Sequence, residues 1–503
     1  MGRNSVQQRE SRPTALKNRT LRLEPLEPRC LLAANFLGLA DGTLAAYVKS
    51  LDNDGSINRS DMIGILRKVQ AETDGVVNAN DLGDLRKIVQ NASTLKMPDY
   101  ASVLAGDVVN GNAANAHYQG ASLGNLVAGN SNAKLGKLTD KWFYGADLPS
   151  TGGYAYASAS GSLYSAAGPS HLDEHQGALG DCYLIAGLGS IADSSQAAIK
   201  NMFIANGDGT WTVRFFYNGK ADYVTVNNKL PISGNSFVFD GYGSKYFSAS
   251  NTLWLPLLEK AYVQWNESGK TWRGVYTNNY SSIEGGWMGD VYTQAVGCST
   301  IYVMDTSGSN AKTTLINSLS GHQAVTLGTV DTPNFNNTGL YGDHAYNVLS
   351  YSSSSGKFTL YNPWGSNQPK QLTWAQLSAN AAGFSATVTT TSTPILSASN
   401  GSRSAPFMLY SDACITTAAN TLDTPAITPQ AAAALVPAAV DAALTDSDAL
   451  SGDASGQTAM TFQSSNSWVS DIAESNAARS SGHAMADVDA LLDSIRSHVA
   501  LAL

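Results

Sequence analysis

HQGALGDCYLIAGLGSIA, residues 175–192, is the stretch on which the reading of this chain turns. Gly177 and Gly180 permit tight backbone geometry, and Asp181 is of a type that caps helices through its side chain. Apolar residues at 184, 188 and 191 then recur at helical spacing. Cys182 therefore falls in the first turn of a helix predicted to bury one face. The helix macrodipole favours negative charge at that end, so the thiol is expected to ionise easily, and the thiolate is the nucleophilic form. A lone cysteine is more often an inert core residue, but the glycine-rich approach and the helix start favour a nucleophile here.

A base is offered further on. HAYNVLSY (His344–Tyr351) reads as a strand, SSSSG (Ser352–Gly356) as a turn and KFTLYN (Lys357–Asn362) as the returning strand. A pivot near residue 353 sets His344 opposite Asn362, and opposed side chains share a face. The Asn amide oxygen then accepts from the imidazole and fixes its tautomer, which gives the nucleophile, base and orienting group of acyl-transfer enzymes. Gln176 stands six residues before Cys182, where its amide and the Cys182 backbone N–H would together stabilise a tetrahedral oxyanion.

QGALGDCYLIA, GDHAYNVLS and YNPWGS resemble, in order, the three active-site blocks of the calpain family of cysteine proteases. LWLPLLEKAY (Leu253–Tyr262), KLP (Lys229–Pro231) and SSIEGG (Ser281–Gly286) are similar to further calpain core segments, and the likeness covers residues 160 to 395. It implies an α+β, papain-like core in two parts. Cys182 and Gln176 lie on a mostly helical half, and His344, Asn362 and Trp364 on a mostly β half. By that resemblance Cys182 is the nucleophile, His344 the base and then the acid, and Asn362 the orienting residue. Gln176 lines the oxyanion hole, Gly180 lines the cleft, and Trp364 flanks the pair and shields it from water. Tyr183 replaces the Trp that usually follows the nucleophile. A transglutaminase-type acyl transfer is a weaker variant, because it commonly uses Asp where this chain has Asn362.

Calpains of animals carry two calcium ions in the protease core. Asp173 stands where one ligand is implied, but Thr252 replaces its acidic partner, and no Asp or Glu occurs from Trp364 to Tyr410. Core calcium gating is therefore expected to be weak or lost. Oxygen ligands recur instead near the N-terminus, in LDNDGSINRSDM and AETDGVVNANDL. Asp52, Asp54 and Asp61 in the first string, and Glu72, Asp74 and Asp81 in the second, sit at spacings that suit a hard cation. The pattern resembles degenerate EF-hand or dockerin-type loops. Each is followed by a helical stripe (Ile65, Leu66, Val69; Leu85, Ile88, Val89), which predicts a helical pair that binds calcium weakly or is purely structural.

Residues 1–40 form a basic segment ending in a short apolar stretch. LRLEPLEPRCLLAA (Leu21–Ala34) resembles an N-terminal signature of planctomycete surface and secreted proteins, so export is expected. Residues 41–95 hold the calcium-type loops, and 96–411 the protease-like domain, divided near residue 285. Residues 412–503 are acidic, rich in Thr, Pro, Ala and Ser, and read as a disordered tail that ends in a helical apolar pattern. The composition limits the partners. Among 503 residues the charged fraction is 14% and the formal net charge is −9, so no concentrated positive field exists for nucleic acid. Cys30, Cys182, Cys298 and Cys414 are too scattered for a disulfide framework. No stretch is long and apolar enough to span a bilayer. Protein substrates are the expected partners, with the N-terminal segment as a surface or propeptide contact. The competing class is a non-catalytic surface adhesion or docking protein that carries calcium-type loops on a degenerate protease fold.

Overall fold

The N-terminal echo folds as helix starts. Asn58 and Asn78 accept from the backbone N–H groups two and three residues on, while Asp61 and Asp81 return to the Asn N–H at 3.0 and 2.8 Å. These reciprocal capping boxes open α2 (Arg59–Gln70) and α3 (Ala79–Gln90). Gly55 and Gly75 supply the left-handed turn residues before them, at φ 78° and 76°. The region holds three helices where a pair was expected, because Asp41 caps a further one, α1 (Gly42–Leu51), on the buried stripe Leu44, Ala45 and Val48. The computed structural model describes Met1 and residues 36–388 apart from Thr73 and Ser309. The export-type string and the acidic segment 412–503 lie outside the described residues.

Two more helices, α4 (Asp99–Val109) and α5 (Asn132–Tyr144), join this layer to the more C-terminal elements. Two short ladders stitch its loops, β1 (Val76–Val77) with β4 (Asn130–Ser131) and β2 (His117–Tyr118) with β3 (Ala121–Ser122). Arg59 is buried, donates to the Phe143 carbonyl and pairs with Asp208 at 3.0 Å. The Tyr223 hydroxyl donates to Asp99 at 2.8 Å. Buried Lys141 pairs with Asp147 and, at 2.7 Å, with Glu267.

The next segment carries α6 (Cys182–Ser194), α7 (Gln196–Lys200), α8 (Trp254–Asn266) and α9 (Met288–Val296). Two three-stranded antiparallel sheets accompany them. One joins β5 (Ala155–Ser158), β9 (Lys229–Ser233) and β10 (Ser236–Phe237), and the other β6 (Phe203–Ala205), β7 (Thr210–Tyr217) and β8 (Lys220–Asn227). The β7–β8 hairpin turns at Asn218 and Gly219, both at positive φ (50° and 74°), as an Asn-Gly pair between alternating strands predicts. Helix α8 is buried along its whole length, so LWLPLLEKAYVQW is a core helix rather than a surface one. One hydrophobic cluster runs from Leu39 through these helices to Ala345.

A second cluster fills the last described segment. There, β11 (Thr300–Val303), β12 (Val325–Thr329), β13 (Ala345–Ser352), β14 (Lys357–Tyr361), β15 (Leu372–Thr373) and β16 (Ala381–Thr387) form a six-stranded antiparallel sheet in the order β11-β16-β12-β13-β14-β15, with α10 (Ala311–Ser320) against it. Helices and antiparallel sheet are largely segregated along the chain, which makes the protein α+β. Helix α6 lies across β12 and β13. That seam brings the sequence blocks together.

Candidate active site

Gly177 is required where the chain approaches α6, since a Cβ there would lie 2.2 Å from the Val238 carbonyl oxygen and 2.6 Å from that of Phe239. Gly180 is not forced in this way. A Cβ would sit at an ordinary 3.7 Å from Glu284, and the role of Gly180 is to present its carbonyl to Gly285 N–H at 2.8 Å. Helix α6 begins at Cys182 as its spacing predicts, but it is buried on all sides from Tyr183 to Ala192, wedged between both clusters, rather than on one face. Asp181 holds the N-cap position without capping. Its side chain is buried and accepts from Gln176 Nε2 at 3.3 Å instead.

The Cys182 thiol lies near the backbone N–H groups of Ala345 and of the first turn of α6, which favour its ionised form. It therefore sits beside the residue that follows His344. His344 Nε2 meets Asn362 Oδ1 at 2.9 Å, and both residues are buried. Asn362 Oδ1 also accepts from Trp364 N–H at 3.1 Å. That second donor identifies the atom as the oxygen, so Nε2 carries the imidazole proton and Nδ1 keeps its lone pair. The Trp364 ring lies tilted beside the imidazole at 4.6 Å, and Tyr346 meets it edge-on at 4.9 Å.

The expected pairing of His344 with Asn362 is realised by another register. The strand starts at Ala345, and the paired positions are Ser352↔Lys357 next to the turn and Asn347↔Tyr361 at the far end, with a bulge between Val348 and Ser350. Because the turn lies later than residue 353, Asn362 follows the end of β14 and reaches His344 diagonally.

The electrostatics reverse the expectation for the thiol. Burial pushes Cys182 up to about 12, against the N–H groups of Ala345, Tyr183 and Cys182, with Asp181 adding to the rise. Cys182 keeps partial access to solvent, which relieves the burial effect but leaves its direction. Burial likewise pulls His344 down to about 4, opposed by the Asn362 hydrogen bond. Both shifts run toward the uncharged forms, the thiol and the neutral imidazole. Desolvation at a closed seam outweighs a helix dipole that acts over one turn.

Gln176 is buried, and its amide nitrogen donates to the Leu179 carbonyl at 2.7 Å as well as to Asp181. The structure thus holds it inside its own loop beside the helix start. Around it are carboxyls that no motif marked. Burial raises Asp181 to about 7, Asp240 to about 8 and Glu259 well above the usual range, and Glu259 shares a hydrogen bond with Asp181. Fully buried Glu174 is also raised, by burial before anything else. Its Oε1 accepts from Asn347 Nδ2 on β13 at 2.9 Å, and the same nitrogen contacts the Ala186 carbonyl and Ser190 Oγ on α6. Gln176 N–H donates to Pro363 O at 2.9 Å and Ser190 Oγ to Val325 O at 3.0 Å, which closes the seam.

These acids set the sign of the pH dependence of stability. The unfolded chain releases their protons near pH 4, while the folded chain holds those of Asp181 and Asp240 to about 7 and 8. Their contribution is complete below pH 4 and is lost as pH rises to 8. The melting temperature is expected to fall by at least about 5 °C between pH 5 and 9. Asp240→Asn should flatten that slope, as scanning calorimetry across the range will show.

Most of the side chains expected as calcium ligands meet protein donors. Asp173 Oδ2 accepts from Ser170 N–H at 3.1 Å and from Trp254 Nε1 at 2.8 Å. In the N-terminal loops Asp61 and Asp81 serve the caps, and Asp54 and Asp74 accept from the N–H groups two residues on. Asp52 lies in a single helical turn beside Asp54. Glu72 is raised, by burial first and then by Asp81, Asp41 and Asp74. Among the described residues no three His, Cys, Asp or Glu side chains converge as metal ligands.

Known proteins are similar to part of this chain. The profile of the calpain family cysteine proteases fits residues 157–414, just over half of the chain. Calpain-13 of Rattus norvegicus is 25% identical over 218 residues, 40% of this chain and 30% of that protein. Calpain clp-4 of Caenorhabditis elegans is 26% identical over 228 residues, 41% of this chain and 29% of that protein. The calpain-type cysteine protease DEK1 of Zea mays is 29% identical over 131 residues, 25% of this chain and 5% of that protein. The match spans less than a third of the length of each of these relatives.

Proposed function

Since the chain belongs to the calpain family of cysteine proteases, we propose that it is a cysteine endopeptidase that cleaves protein substrates through a Cys182 thioester. The observation that carries this reading is the His344–Asn362 contact, made on Nε2, with the Cys182 thiol at the neighbouring Ala345 N–H. Nδ1 takes the thiol proton as Sγ attacks the scissile carbonyl. The imidazolium then protonates the departing amine, and a water deprotonated by Nδ1 hydrolyses the thioester, which returns the thiol. Asn362 holds the ring and its tautomer, Trp364 excludes water from one face, and Gln176 stabilises the oxyanion once its amide turns outward from Leu179.

Catalysis in this proposal does not depend on calcium in the core, a reading supported by Thr252 in place of an acidic partner and by the two protein donors on Asp173 Oδ2. The N-terminal EF-hand-like loops act as helix caps. The chain acts outside the cell or at its surface, a reading supported by the Leu21–Ala34 string and the low charged fraction of 14%.

Iodoacetamide labelling, read by peptide mass spectrometry, tests the reading. Alkylation is expected at Cys182, with loss of at least about tenfold in rate in His344→Ala, because a protonated thiol needs the base. Labelling indifferent to that change would favour the non-catalytic surface protein. In the wild-type chain, hydrolysis of unfolded protein should persist in chelator. Its acid limb should fall near pH 4, not near 6.5, since His344 must be neutral to act as base and is so above about 4. Asn362→Ala should move that limb lower still, because the Asn hydrogen bond raises the histidine.

A further inference from the structure

Trp364 is the first rung of an aromatic series that continues away from the imidazole. Its ring lies 4.6 Å from that of Tyr341, which lies 5.1 Å from that of Phe335 on the short helix α11 (Phe335–Thr338). Phe335 is 50% exposed, an unusual position for a Phe side chain at the end of a series that begins at the imidazole.

The loop that presents it is pinned at several points. Asn334 N–H donates to Asn380 Oδ1 at 2.6 Å, Lys370 N–H to the Thr338 carbonyl at 2.9 Å, and Tyr341 N–H to the Tyr346 hydroxyl at 2.8 Å. The neck of the loop is closed as well, because a Cβ at Gly342 would fall 1.7 Å from the Asp331 carbonyl oxygen. The segment that carries the exposed ring is therefore held in place by its backbone bonds.

Chemistry determines which part of a substrate meets this series. The acyl half of the scissile bond stays on Cys182 at the tip of α6. The amine half leaves with a proton from His344, so it passes over the strand side of the pair, where Trp364, Tyr341 and Phe335 extend. An extended chain advances about 3.3 Å per residue, so rings spaced 4.6 to 5.1 Å apart accompany the first three or four residues after the scissile bond.

Resting on the endopeptidase reading, we propose that Tyr341 and Phe335 form an apolar subsite for a large aliphatic or aromatic side chain within the first residues after the scissile bond. The subsite selects the leaving half of the substrate.

The experiment uses the full chain and internally quenched peptides of one acyl-side sequence, with Phe, Leu, Gly or Asp at each of the first three positions after the cleaved bond. A reporter amide with no residue after the scissile bond is run in parallel. The wild-type chain is expected to favour Phe or Leu over Gly by about tenfold in kcat/KM at one of those positions. Phe335→Ala should reduce that preference about fivefold, and Phe335→Trp should retain it. Cleavage of the reporter with no preference among the peptides, or a preference unchanged in Phe335→Ala, overturns the subsite and leaves the peptidase reading intact. Failure to cleave the reporter and every peptide overturns the peptidase reading itself.

Discussion

Cys182→Ala is expected to lower kcat/KM for an unfolded protein substrate by at least about 10⁴-fold, with the circular dichroism spectrum unchanged. The loss follows from the chemistry the site can offer. The neighbouring carboxyls, Asp181 and Glu259, are buried, and burial raises both above the usual carboxylate range. Neither is placed to attack a carbonyl, so no second nucleophile takes over. His344→Ala should cost nearly as much, because Cys182 is held at about 12 and has no other base to take its proton. The double substitution should be little worse than either alone, since groups that act on one proton do not contribute additively. Progress curves for the two single variants and the double variant decide this. Residual activity within tenfold of wild type in Cys182→Ala would remove Cys182 from the chemistry.

Removal of residues 1–98 is expected to leave a chain that is inactive and prone to aggregation. The α2 face buries Met62, Ile65, Leu66 and Val69, and α5 packs against it with Leu135, Leu138, Trp142 and Phe143 in the same cluster. Each large side chain returned to water costs about 1.5–3 kcal/mol. A few of them together equal the 5–15 kcal/mol that holds a typical domain folded. Arg59, whose guanidinium is anchored to Phe143 O and Asp208, would be lost as well. A cut near residue 100 would fall inside α4. The N-terminal helices share one hydrophobic cluster with the more C-terminal elements, so their release would uncover that cluster. Gel filtration and thermal melting of the shortened chain check this, and a soluble, active product melting within about 5 °C of the full chain would refute it.

The site was legible in the sequence where chemistry and turn geometry coincide in short strings. Cys182 after a glycine-rich approach, and His344 and Asn362 flanking a serine-rich turn, declare themselves because each lies at the edge of an element. The Asn218-Gly219 hairpin was legible for the same local reason. What escaped depends on distant partners. Glu174 and Asn347 meet across a seam between remote parts of the chain, and nothing in either string marks them. Asp181 looks like a cap, yet it turns inward because Gln176 and Glu259 await it there. The thiol's proton affinity was misjudged for a related reason. The dipole is local to the helix, whereas the burial that overrides it comes from the packed surroundings.

The protonated sulfur has a consequence for the life of the molecule outside turnover. Peroxides and disulfides react with thiolates far faster than with thiols. On the proposed mechanism, a Cys182 whose surroundings favour the thiol spends less of the interval between substrates in the readily oxidised form. In an oxidising setting, such a protein would be expected to lose its competence slowly, without a reducing partner to restore it.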